Sequence, residues 1–145
     1  MRAAISIAIA GLLCSSTYVS AQPNKELYEL QERCGKRAAE FFRREHSPPV
    51  AKIEHGQMRF NYENHYSTRL NKCFFLEVAN TYERREGKPI ASKIMRLVDL
   101  NDNKEYGTFV GGICDGCGPM TCLVQDQVCQ SESEWRQLLK PFMEN

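Results

Sequence analysis

Cysteine is the residue type with the clearest chemical potential in this chain. Beyond the N-terminal segment there are six, namely Cys34, Cys73, Cys114, Cys117, Cys122 and Cys129. An even set in a short chain that reaches an oxidising compartment is typical of a disulfide framework. The sequence therefore predicts three bridges.

The predicted positions of the cysteines suggest which of them could pair. Cys34 falls on the inward stripe of a predicted helix and Cys73 begins a predicted strand, so a bridge between them would clamp the helix to the sheet. Closing about 40 residues in this way contributes roughly 4 kcal/mol in the chain-entropy account. The other four lie in a Cys-rich segment, 111–130, that is predicted to be a loop, and three pairings remain open for them.

The Cys114-x-x-Cys117 spacing also suits a redox pair. Thiol–disulfide exchange needs two nearby sulfurs and a positive field that favours the thiolate. Here Asp115 places a negative charge between the cysteines, and Gly116, Gly118 and Pro119 favour a loop. Structural bridging is the preferred interpretation, and a redox role is the alternative.

Zinc is a further option for the four cysteines of 111–130, because four thiolates can close a tetrahedron around the metal. Their spacers are irregular for such a site, and cysteines of an exported protein are readily oxidised. We therefore expect no metal and no cofactor.

Histidine 65 is the one candidate general base. Glu63 and His65 would share a face of a strand, where the carboxylate could orient the imidazole. The competing interpretation is a histidine packed between Tyr62 and Tyr66. We also find no nucleophile motif and no phosphate-binding glycine loop. We therefore assign no catalytic residue.

Tyr62, His65, Tyr66 and Arg69 form a candidate binding patch that is aromatic and partly basic. With no catalytic constellation beside it, the patch favours a non-catalytic interaction or binding module whose partner could be an envelope or extracellular protein. The alternative is a thiol-redox or other small envelope enzyme that uses Cys114 and Cys117, or His65 and Glu63.

The N-terminal segment predicts export. Met1 and Arg2 give a positive start, Ala3–Leu13 is apolar, and Ala21 ends a small-residue cleavage site before Gln22. The apolar run is well short of the roughly 20 residues that span a membrane. We therefore expect a cleaved signal peptide over 1–21, a single domain over 22–145, and a periplasmic or secreted location.

Charge gives no sign of a nucleic-acid partner. Arg2 is the single charged residue of 1–21, so 18 of the chain's 19 Lys and Arg face 18 Asp and Glu in the remainder. A neutral balance lacks the electrostatic footprint of a nucleic-acid binder.

Two helices are predicted from the spacing of apolar residues. The first covers about 24–45, with an inward stripe that contains Cys34, and the prolines at 48 and 49 end it. The second begins at a capping box formed by Ser131 and Glu134 and carries Trp135 on its apolar face.

Between the helices the pattern alternates with the period of strands. Residues 58–63 and 73–78 are predicted strands, and 92–100 forms a hairpin with 106–110 across 101–104. The fold class is therefore α+β, a small antiparallel sheet of three to five strands packed by an N-terminal and a C-terminal helix and stabilised by disulfides.

At Tyr62–Tyr66, Leu70–Phe74 and Asp99–Gly107, together with the helix of Trp135, the chain resembles a family of uncharacterised small exported proteobacterial proteins. The resemblance spans most of 22–145. It implies export and one compact disulfide domain, and it implies no activity, ligand or catalytic residue.

Overall fold

In the part of the chain that the structure describes, seven antiparallel strands follow one another across a single sheet, in the same order as in the sequence. The computed structural model describes residues 25–114 and 116–144. The predicted signal peptide, the predicted start at Gln22 and Asp115 lie outside these residues. The elements are α1 (Lys25–Glu45), β1 (Val50–Ile53), β2 (Gly56–Ser67), β3 (Lys72–Arg85), β4 (Lys88–Asp99), β5 (Lys104–Gly112), β6 (Pro119–Val124), β7 (Gln127–Val128) and α2 (Glu132–Met143).

The α+β class and the two terminal helices are confirmed, but the sheet has more strands than the three to five predicted. The segment 111–130, expected to be a loop, contains β6 and β7. Its glycines and Pro119 favour turns locally, yet pairing with β5 and the Cys122–Cys129 bridge hold it in the sheet. The additional strands β1 and β7 are four and two residues long, too short to show an alternating pattern.

β3 lies at the centre of the fold and is buried on both faces. Residues 73–77 are buried without interruption. Phe74 and Leu76 join one apolar cluster, while Cys73 and Phe75 join another. Because successive side chains of a strand point to opposite faces, the two clusters lie on opposite sides of the sheet.

α1 covers one of these sides, the α1 face. Its stripe of Leu27, Leu30, Cys34, Ala38 and Phe41 packs in the cluster that contains Cys73 and Phe75. Phe41 meets Phe75 edge to face, with ring centroids 4.9 Å apart. The predicted Cys34–Cys73 bridge is present and fixes the helix to β3.

α2 covers the other side, the α2 face. Trp135 is fully buried and its indole donates a hydrogen bond to the carbonyl of Leu123 at 3.1 Å. Ser131 caps the helix by accepting a hydrogen bond from the amide of Glu134 at 3.2 Å, as predicted, whereas the Glu134 carboxylate accepts one from the amide of Gln130.

Within the described residues, no helix is long and apolar enough to cross a membrane.

Replacing Trp135 by alanine should lower the free energy of unfolding by about 3–5 kcal/mol, because it empties a fully buried site and removes a hydrogen bond. Urea denaturation followed by circular dichroism measures the loss. Tyr28→Ala is the control, since Tyr28 is 64% exposed on α1. Equal stability of the two variants would contradict the packing of α2 against the sheet.

Removing the helix-to-sheet bridge with the double variant Cys34→Ser/Cys73→Ser should cost about 4 kcal/mol, since the bridge closes a long loop of the unfolded chain. The double variant avoids a free thiol. Thermal unfolding of the oxidised proteins tests this, and an unchanged melting temperature would show that the bridge adds no stability.

Candidate functional site

The structure divides the predicted patch of Tyr62, His65, Tyr66 and Arg69 between two faces of the sheet. Tyr62 and Tyr66 pair with Glu77 and Cys73 and lie on the α1 face, whereas His65 pairs with Phe74 and lies on the α2 face. The reason is the continuous strand β2, which extends through Ser67 and alternates its side chains.

Most patch residues are engaged in the fold. Tyr62 stacks on Phe75 with ring centroids 5.2 Å apart, and Tyr66 is buried and donates its hydroxyl hydrogen to Asn71. Arg69 donates to the carbonyl of Pro141 at 2.7 Å. Tyr62 and Tyr66 therefore pack in the apolar cluster beneath α1, whereas Arg69 reaches α2, so the three side chains do not form one exposed patch.

Glu63 and His65 share the α2 face of β2, as the strand period requires. Glu63 is exposed and borders a groove beside α2, while His65 is half-buried opposite Phe74. His46, at the end of α1, contacts the buried carboxylate of Glu77.

A cluster of His46, Glu77 and Arg96 joins the end of α1 to the sheet. The buried Glu77 carboxylate contacts His46 Nε2 through one oxygen and Arg96 Nε, at 2.6 Å, through the other. The His46 ring stacks on Phe60 with centroids 4.0 Å apart. Sequence reasoning compared each histidine with its neighbours in the chain, and so it missed a partner 31 residues away.

Glu77→Gln should destabilise the protein by about 1.5–3 kcal/mol, because the buried carboxylate of Glu77 accepts a charge-assisted hydrogen bond from Arg96 that a neutral amide would make more weakly. Glu63→Gln is the matched control, an exposed glutamate on the neighbouring strand. Chemical denaturation at neutral pH provides the comparison, and a loss below about 0.5 kcal/mol for Glu77→Gln would remove the cluster's structural role.

A small pocket lies between α1 and the turns that precede β3 and β5. Its volume is about 260 Å³, and the helix stripe and the Cys34–Cys73 bridge contribute to its wall. The lining residues are Leu30, Arg33, Cys34, Arg37, Tyr66, Asn71, Cys73 and Asn101. Below, these residues are called the arginine pocket.

Two arginines give the pocket its charge. Arg33 and Arg37 are exposed and one helical turn apart on α1, so both guanidinium groups reach the same opening. Neither has a carboxylate within 4 Å among the residues the structure describes, and Arg37 instead donates to the amide oxygen of Asn101 at 3.3 Å. The pocket therefore presents two guanidinium groups that have no ion-pair partner within 4 Å among the described residues.

The acidic turn before β5 forms its ion pairs with Lys72. Lys72 donates to both Asp99 and Asp102. The hydrogen bond to Asp102, followed by the one to Asp99, raises the pKa of Lys72. The same contact with Lys72 lowers the pKa of Asp102 below its usual range. Lys72 is therefore the direct ion-pair partner of both aspartates.

The polar walls of the pocket are held in place by the turns. Asn101 accepts from Arg37, and its amide group donates to the carbonyl of Asn71 at 3.4 Å. Asn71 has a positive φ of 52°, which asparagine tolerates better than most residues. These bonds tie helix α1 to two turns, so the pocket is preformed.

Cys114 and Cys117 form their own bridge in an exposed loop after β5, and Cys122 pairs with Cys129. These pairings leave no free thiolate at the four positions considered for zinc. Within 25–114 and 116–144, no three His, Cys, Asp or Glu side chains are grouped so that they could hold a metal ion.

The chain matches no protein-family model, no curated protein and no solved structure. The comparisons therefore supply no function, and the geometry of the chain's own residues is the basis for one.

Proposed function

We propose that this protein is an exported, non-catalytic binding module that holds a compact oxyanion, a carboxylate or phosphate group, in the arginine pocket. Export is supported by the signal-like segment 1–21 and by three disulfides, which are typical of proteins from oxidising compartments.

The observation that carries the proposal is the pair Arg33 and Arg37, which open on one preformed pocket without a carboxylate partner. A guanidinium presents a planar fork of donors that matches the geometry of a carboxylate or phosphate. Two such forks, with the amides of Asn71 and Asn101 beside them, can surround a small anionic group on several sides.

The size of the pocket limits the ligand. Drug-sized ligands occupy sites of about 300–1,000 Å³, and the arginine pocket, at about 260 Å³, is smaller. A single charged group fits, either free in solution or presented at the end of an envelope or extracellular protein partner.

The pocket is suited to binding and offers little for catalysis. Its lining contains no histidine, serine or carboxylate, and its two cysteines are joined in the Cys34–Cys73 bridge. A ligand there would meet donors that hold it but no general base or nucleophile.

Titration of the protein with inorganic phosphate, and with a short peptide bearing a free C-terminal carboxylate, should shift the amide NMR signals of Arg33, Arg37 and Asn101. The double variant Arg33→Gln/Arg37→Gln should weaken the binding at least about tenfold, because hydrogen bonds to charged groups contribute about 1.5–3 kcal/mol each. The two probes separate a free anion from a partner's chain terminus, and the amidated peptide should not bind.

Arg43→Gln/Arg44→Gln is the matched control, since it removes the same charge from the last turn of the same helix. If both double variants weaken binding equally, attraction to the whole helix surface explains the effect and the pocket does not. Absence of saturable binding by the wild type would refute the proposed function.

A further inference from the structure

The three disulfides differ sharply in exposure. Cys34, Cys73, Cys122 and Cys129 are each less than a tenth exposed and belong to the apolar clusters, whereas Cys114 and Cys117 are exposed. A thiol in solution can therefore approach the sulfurs of the Cys114–Cys117 bridge, while the other two bridges are covered by packed side chains.

The exposed bridge is also expected to contribute the least stability of the three bridges. The separations of the bridged cysteines are 39, 7 and 3 residues, and the shortest belongs to Cys114 and Cys117. The stabilisation expected from a bridge grows with the length of the loop that it closes. Opening this bridge should consequently leave the sheet and both helices in place.

The backbone is shaped to let the bridge lie close to the sheet. A side chain at Gly112, the last residue of β5, would place its Cβ 3.1 Å from Cys114 Sγ and 3.4 Å from Cys117 Sγ. Because glycine has no side chain, both sulfurs can lie directly against the strand at this position. The Cys117 amide also donates to the Cys114 carbonyl at 3.3 Å, which closes the turn.

A lysine shares the groove that the bridge borders. Lys93 and Glu132 line this open groove together with Cys114 and Cys117. Burial by itself would raise the pKa of Glu132, but hydrogen bonds from Lys93 and Arg136 outweigh it and lower the pKa. Because Glu132 is shared between Lys93 and Arg136, Lys93 keeps part of its positive charge within the groove, where it opposes the negative charge of Asp115 between the two cysteines in the sequence and favours attack by a thiolate.

We propose that the Cys114–Cys117 bridge is a second site of this protein, which undergoes reversible thiol–disulfide exchange with a thiol-bearing partner. A partner thiolate attacks one sulfur, forms a mixed disulfide and releases the other cysteine as a thiolate. A second partner thiolate then attacks the mixed disulfide, so that the partner leaves oxidised with its two sulfurs joined, and both cysteines gain the protons that the partner thiols gave up.

This site is independent of the arginine pocket. The pocket adjoins the turn before β5, whereas the bridge follows the other end of that strand. Loss of exchange would therefore leave anion binding intact, and loss of anion binding would leave exchange intact.

The test begins with brief treatment of the native protein with limiting dithiothreitol, followed by alkylation and peptide mapping by mass spectrometry. Cys114 and Cys117 should be alkylated at least about tenfold faster than the other four cysteines. Circular dichroism should remain native, and glutathione disulfide should restore the bridge. Simultaneous opening of all three bridges, or failure of glutathione disulfide to reoxidise the pair, would overturn the proposal.

A second measurement separates an active pair from a bridge that is merely exposed. Lys93→Gln should slow the reduction of Cys114–Cys117 several-fold, because the charge that favours the thiolate is lost. Lys140→Gln, an exposed lysine in the last turn of α2, is the control and should retain the wild-type rate. Equal rates for Lys93→Gln and wild type would show that exposure alone governs the reaction and would overturn the assigned role of the groove.

Discussion

Burial of β3 on both faces is the constraint on which the rest of this structure depends. Five consecutive residues, 73–77, are removed from water, so each face of the strand needs its own cover. α1 supplies one cover through the Cys34–Cys73 bridge and its apolar stripe, and α2 supplies the other through Trp135 and its neighbours. Neither helix could be lost without exposing a full side of the central strand. The two apolar clusters are therefore parts of one layered arrangement, helix, sheet and helix.

The same constraint explains the charged cluster at the end of α1. Glu77 is the one ionisable residue of the buried run 73–77, and a buried carboxylate is tolerated only when it is paired and hydrogen-bonded. His46 and Arg96 provide that pairing from two other elements. The cluster thus fixes where the chain leaves α1, and the stacking of His46 on Phe60 continues the contact onto β2.

The two proposed sites use different mechanical properties of the fold. The arginine pocket lies where a disulfide and hydrogen-bonded turns hold α1 against β3, and such constraints lower the entropic cost of fixing a ligand. The Cys114–Cys117 loop lies outside both apolar clusters, so it can change its covalent state without disturbing the core. The proposed anion site and the proposed exchange site would therefore act independently within one small domain.

Local patterns in the sequence were enough to predict both helices, the capping by Ser131 and the hairpin of β4 and β5, because each depends on periodicity or on short-range geometry. The pairing of Cys34 with Cys73 was one option that the inward position of Cys34 suggested, and the tertiary structure decided it. The sequence pattern did not predict the strands β1, β6 and β7, because they are short or rich in turn residues and are formed by pairing with neighbouring strands. The partner of Glu77, the split of Tyr62 from His65 across the sheet, and the joining of Arg33 and Arg37 to Asn101 were decided by the tertiary structure alone. They connect residues far apart in the chain, and spacing along a sequence carries no information about which distant side chains a fold brings together.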